Sequence, residues 1–174
     1  MSAFQRVVKK WLPLDTFDRS ARLFLLATII NGVIYSGWSL FFNFFILARG
    51  FDRDFLGLVN SASSFGALLV GIPLGMLSDR LGRRRAMLLG LVVSTLGMGA
   101  QVLTGHGMWI VMAAFVGGLG NTLYGLSQAP FMMKVSSMEN RMLLFSLNAG
   151  LVTLAGAVGN LFAGQLPELF GRLL

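Results

Sequence analysis

The sequence predicts an all-α membrane protein with five transmembrane helices. The first reason is composition: of 174 residues, 55% are hydrophobic and only 12% charged, with a mean hydropathy of +0.74. A soluble domain carries about 25% charged residues, too many more for this chain to cover a watery surface. The second is the presence of five long apolar stretches. The third is the one-sided distribution of lysine and arginine around them.

The apolar stretches are Leu23–Leu47, Phe55–Leu77, Ala86–Thr104, Met108–Met133 and Met142–Leu166, none with Lys, Arg, Asp or Glu in its interior. Each is close to or beyond the roughly 20 residues that cross about 30 Å of hydrocarbon as a helix. Helix is the conformation expected, because an open strand would leave its backbone groups unpaired in lipid. Residues 1–22 form a separate N-terminal segment and 23–174 the membrane bundle. Within the first segment Phe4, Val7, Val8, Trp11 and Leu12 recur at helical spacing opposite Arg6, Lys9 and Lys10. That pattern predicts an interfacial helix on an anionic leaflet, ended by Pro13.

Orientation follows from the positive charges. Arg6, Lys9, Lys10, Arg19, Arg22, Arg80, Arg83, Arg84, Arg85, Lys134 and Arg141 fall on one side of the predicted bundle. Only Arg49, Arg53 and Arg172 fall on the other. The positive-inside rule puts the N-terminus in the cytoplasm, with the protein in the cell (inner) membrane. The net charge of +7 is therefore read as orientation, with no nucleic-acid partner.

The connections are short, so consecutive helices should be antiparallel neighbours. Asp52 or Asp54 can cap the second helix. Thr104–Gly107 forms a tight turn. Ser136 and Glu139 have the spacing of a capping box for the fifth helix. Glycine is frequent, at 22 residues, as close helix approach in lipid requires.

Between the second and third spans lies Gly75-Met76-Leu77-Ser78-Asp79-Arg80-Leu81-Gly82-Arg83-Arg84-Arg85, with five charges in its last seven residues. Gly82 permits a tight reversal, Gly75 a close helix approach, and Asp79 can accept hydrogen bonds from a neighbour. As topology determinants alone, the arginines would need neither Asp79 nor Gly82. This run resembles the loop signature of the major facilitator superfamily, roughly G-x-L-x-D-R-x-G-R-R/K, and Gly75, Leu77, Asp79, Arg80, Gly82, Arg83 and Arg84 match it in register. The resemblance implies that the five spans belong to an N-terminal six-helix bundle, here incomplete. It also implies that Gly75, Asp79, Arg80, Gly82, Arg83 and Arg84 form a cytoplasmic latch between two transporter halves. The function implied is secondary active or facilitative transport of a small solute by alternating access.

The same resemblance makes the first and fourth helices line the cavity. Asn31, Tyr35 and Trp38 fall at about 0°, 40° and −20° on an ideal helix, and Asn121, Tyr124 and Gln128 at about 0°, −60° and −20°. These side chains can hold a neutral or amphiphilic solute, or serve as interhelical hydrogen-bond glue and packing. Ala155 and Gly159 in the fifth span suit close packing. Drug–proton exporters of the family carry a Gly-Pro pair in the fifth helix and an arginine in the fourth. Here Gly156 is followed by Ala157, and Ala114 stands at the arginine position. His106 lies in a loop, and the spans offer no acid, lysine or histidine at mid-depth for a proton relay.

The chain contains no cysteine, which excludes a disulfide framework and a thiolate nucleophile. No phosphate loop, metal-ligand cluster or nucleophile–base pairing is present, so neither an enzyme nor a cofactor is expected. Since such transporters are built from about twelve helices, the chain is expected to be the N-terminal portion of a longer one, lacking its C-terminal half. The alternatives are a non-transporting scaffold or sensor that keeps the fold, and a half-transporter that dimerises.

Overall fold

A computed structural model describes the backbone of residues 16–171 and side chains as far as Gln165. The segment 4–12, expected to form an interfacial helix, lies outside the described residues. Five helices account for nearly all of the described chain: α1 (Arg19–Ala48), α2 (Arg53–Leu81), α3 (Arg83–Leu103), α4 (Gly107–Val135) and α5 (Arg141–Gly171). Each is long and apolar enough to cross a membrane. They coincide with the five apolar stretches and run beyond them at every end but the last of α3, which stops at Leu103, because a helix is ended by its hydrogen bonds and not by the first charged residue.

The helix ends show what stops each element. Gly50, at φ +84°, follows α1. Its amide bonds the carbonyl of Leu47 at 3.0 Å, and that of Phe51 bonds Ile46 at 3.3 Å. These two bonds make a Schellman closure, with glycine at the left-handed position. Asp52 then caps α2, its Oδ1 accepting from the Phe55 amide at 2.8 Å. Gly82 is at once the last cap of α2 and the first of α3, with φ +82°. A Cβ there would meet nothing within 4 Å, so conformation and not space requires glycine.

The cap of α5 differs by one residue from the expected Ser136–Glu139 pair. Ser137 receives the Asn140 amide on Oγ at 3.3 Å, while Asn140 Oδ1 receives the Ser137 amide at 2.8 Å. The Arg141 amide bonds the Ser137 carbonyl at 3.0 Å, so Ser137 and Asn140 bracket the turn that leads into α5. Asparagine reaches back as glutamate would in a capping box. Glu139 is exposed, and Ser136 Oγ is buried without a hydrogen-bond partner.

The helices belong to two compact units, one comprising Met1–Phe45 with Met132–Leu174, the other Ile46–Phe131. In the first, α1 packs on α5. A Cβ on Gly32 would stand 2.8 Å from the Ala155 Cβ, and one on Gly159 would strike the Val33 carbonyl. Thr28, 2% exposed, donates to Asn148 Oδ1 at 3.1 Å across this interface. Asn140 Nδ2 also holds the Thr16 carbonyl at 3.1 Å, tying the entry of α1 to the start of α5.

In the second unit α4 packs on both α2 and α3. A Cβ on Gly97 would lie 2.5 Å from Gly117 Cα, and one on Gly120 would lie 2.5 Å from the Ser94 amide and 2.7 Å from the Gly90 carbonyl. Gly118 faces α2, where a Cβ would collide with the Ser63 carbonyl. At the end of α3, Arg49 donates to the carbonyls of Thr104 (2.6 Å) and Val102 (3.2 Å). It thereby satisfies acceptors that the last helical turn leaves open.

Candidate functional site

The junction between α2 and α3 gathers an ion pair and side-chain hydrogen bonds around Gly82. Asp79 and Arg80 occupy the last turn of α2, and Arg83 is the first residue of α3. The Gly82 reversal brings Arg83 back over that turn, where Nη2 pairs with Asp79 Oδ1. The other guanidinium nitrogen, Nη1, donates to Ser78 Oγ at 3.3 Å. Ser78 is fully buried and lies 2.7 Å from the equally buried Ser127 Oγ of α4, which in turn donates to the Leu123 carbonyl at 2.7 Å. The loop is thus joined to α4 through two hydroxyls.

Local energetics do not explain the arginines. The N-terminus of a helix is its positive end, and Arg83, Arg84 and Arg85 crowd the first turn of α3 with like charge. Only Arg80, at the negative end of α2, suits its helix. The Asp79–Arg83 pair is partly open to solvent, with side chains 61% and 33% exposed. Its contribution to stability is therefore about 0–1 kcal/mol. Gly71 and Gly75 face open space: a Cβ on either would meet nothing within 4 Å.

The two candidate cavity faces belong to different units. In the α1–α5 unit Tyr35 is exposed, and Asn31 and Trp38 are half-buried. The Trp38 ring stacks on Phe42, with centroids 5.6 Å apart. It also borders an apolar groove of about 300 Å³ that includes Gly37, Phe41, Gly159 and Phe162. In the α2–α4 unit Asn121 is exposed, and Tyr124 and Gln128 are half-buried. The backbone of Tyr124 lies against Gly90, whose added Cβ would be 2.7 Å from the Tyr124 nitrogen.

The family model of the Major Facilitator Superfamily matches residues 24–172. The chain belongs to this superfamily. Its members are transporters that handle small solutes in the lipid bilayer, and five membrane-length helices make this chain an integral membrane protein. No curated protein and no solved structure matches the chain.

Small residues of α4 and α5 are taken up by local packing. Ala114, expected to stand at the position of the exporters' arginine, is 3% exposed and packed inside the unit. Gly117 and Gly120 are taken up by contact with α3, and Gly118 by contact with α2. Gly156 of α5 faces Ser36, whose Oγ would be 3.0 Å from an added Cβ. No group of three or more His, Asp or Glu side chains that could hold a metal ion occurs among the described residues.

Ser78 and Ser127 had no place among the sequence-derived site residues. Ser78 sits at a variable position of the loop signature, and nothing in its spacing marks Ser127 as a partner 49 residues away. The available signal was chemical: a serine just inside a charged loop is a candidate to bond that charge.

Proposed function

We propose that these helices form the N-terminal bundle of a transporter that moves a small solute across the cell membrane by alternating access, as a secondary active or facilitative carrier. The N-terminus and the α2–α3 loop face the cytoplasm. There Gly75, Asp79, Arg80, Gly82, Arg83 and Arg84 latch this bundle to a second one supplied by further helices. The observation that carries the reading is the Asp79–Arg83 pair folded over the Gly82 reversal and anchored on buried Ser78. A loop that served orientation alone would not require this anchoring. The open surface at Gly71 and Gly75 supplies room for an approaching helix.

Asn31, Tyr35 and Trp38 on α1, with Asn121, Tyr124 and Gln128 on α4, are the proposed solute contacts. They offer amides, a phenol on each helix and an indole, without fixed charge. The interiors of all five spans likewise lack Lys, Arg, Asp and Glu. Such surroundings suit a neutral or amphiphilic solute, since a bare ion would lose its hydration without a counter-charge. Any proton-coupling group then lies outside these spans.

Reconstitution into proteoliposomes tests the reading, with a solute panel and the Asp79→Asn variant. Loss of flux in the variant, with the protein still folded, supports the latch. Wild-type rates in the variant would refute it. Quenching of Trp38 fluorescence by a transported solute would support the α1 face, and no solute-dependent change would remove Trp38 from it.

A further inference from the structure

The hydrogen-bonded path from the loop into α4 has a direction. A serine hydroxyl carries one proton and accepts through its lone pairs. Ser127 Oγ uses its proton on the Leu123 carbonyl, at 2.7 Å. With that proton placed on Leu123, Ser78 is the donor in the 2.7 Å contact between the two serines. The proton of Ser78 being committed, its Oγ is free to accept from Arg83 Nη1, at 3.3 Å. The path runs Arg83 to Ser78 to Ser127 to Leu123, each group donating once to the next. Both serines are 0% exposed, so water cannot replace a lost partner. A cation at the head polarises every bond after it, and such chains strengthen cooperatively in a dry interior.

The path ends where α4 is least able to hold itself straight. Pro130 lies inside the helix and has no amide proton, so the Leu126 carbonyl loses its helical partner. One turn earlier, the Leu123 carbonyl is shared with the Ser127 hydroxyl, and such back-bonding slightly weakens and bends a helix. Gln128, a proposed solute contact, stands between these two points.

We infer that Ser78 and Ser127 are positioning residues that couple the latch to α4: with Arg83 engaged they hold the 123–130 turn of α4, and with Arg83 withdrawn they release it. This inference deepens the transport reading and rests on it for its purpose, but it can be tested without any solute. Amide hydrogen exchange on the full chain in lipid nanodiscs reports opening of α4 directly. Arg83→Gln removes the head of the path at a distance from α4, and Ser127→Ala removes its last hydroxyl. Each should speed exchange of the amides of 127–129 and 131–134 roughly tenfold, the loss expected for a hydrogen bond left unmade in the interior. The double variant should show no more than either alone, because both cut one path.

The sign of the Ser127→Ala effect discriminates. A serine that merely back-bonds weakens its helix, so its removal would slow exchange. Ser127→Thr, which keeps the hydroxyl, should restore wild-type exchange. Thr95→Ala removes an exposed back-bond of the same kind, from Thr95 to the Leu91 carbonyl, and should leave α4 unchanged. Unchanged α4 exchange in Arg83→Gln, or additive effects in the double variant, would overturn the coupling. Parallel flux measurements separate the two claims. Flux lost in Arg83→Gln with α4 exchange unchanged would sink the coupling and leave the latch standing. Faster α4 exchange with normal flux would leave the coupling and sink the latch.

Discussion

The α3–α4 and α1–α5 interfaces are both made of small residues, yet they close differently. Between α3 and α4, glycine meets glycine: Gly97 faces Gly117 and Gly90 faces Gly120, so the obstacle to any added methyl is backbone. Between α1 and α5 backbone is the obstacle at Gly37 and Gly159, but the opposing group at Gly32 is the side chain of Ala155, and at Gly156 it is the rotatable hydroxyl of Ser36. A hydrogen bond, Thr28 to Asn148, supplements the packing, and an apolar groove remains beside Gly37 and Gly159. Backbone cannot be trimmed or rotated away, whereas side chains can. The α3–α4 contact is therefore fixed at each of these glycines, whereas the α1–α5 contact is fixed at Gly159 and adjustable at Gly32 and Gly156.

Substitutions can break that contrast. Gly120→Ala should have the largest effect, lowering the apparent stability in a denaturing-detergent titration by about 3 kcal/mol, the upper range for overpacking. No single truncation opposite it should rescue the loss, because the Ser94 amide and the Gly90 carbonyl are what the methyl meets. Gly32→Ala should cost less, about 1–2 kcal/mol, and Ala155→Gly in the same chain should recover most of it. Rescue of the first or failure to rescue the second would erase the distinction. Thr28→Val keeps shape but withdraws a donor from Asn148, and a loss of about 1 kcal/mol is expected in the same titration.

Asp79→Asn should have the smallest effect on stability, below about 0.5 kcal/mol, because its pair with Arg83 is solvent-exposed. Its effect on flux in proteoliposomes should nonetheless exceed that of Thr28→Val. A residue that matters little for folding and much for transport is what a latch requires, and equal, minor effects on both would contradict that role.

The sequence made the helices legible because each is a run of apolar residues too long for any other use. It made the loop legible because Gly82 and the charges around it have few alternative explanations. Helix caps were readable only to within a residue: Ser136 and Ser137 are adjacent, and asparagine can do at Asn140 what the template assigns to Glu139. Pairings across the fold were not readable. Gly117 and Gly120 advertise a close approach without naming Gly97 and Gly90, and Thr28 does not announce Asn148, 120 residues on. Helical spacing placed Asn31, Tyr35 and Trp38 on one arc, but it could not show that Trp38 stacks along its own helix on Phe42.

The bonds that join α1 to α5 also set a timetable. Thr28 pairs with Asn148 and the Thr16 carbonyl with Asn140, across separations of 120 and 124 residues. At about 5–20 residues per second of synthesis, α1 enters the bilayer roughly ten seconds before its partner exists. For that interval its polar and glycine face lacks the helix it packs on. The helix pair α3–α4, joined by a short turn, meets no such delay. Nascent chains halted before residue 140 should accordingly be the ones a membrane quality-control protease removes fastest.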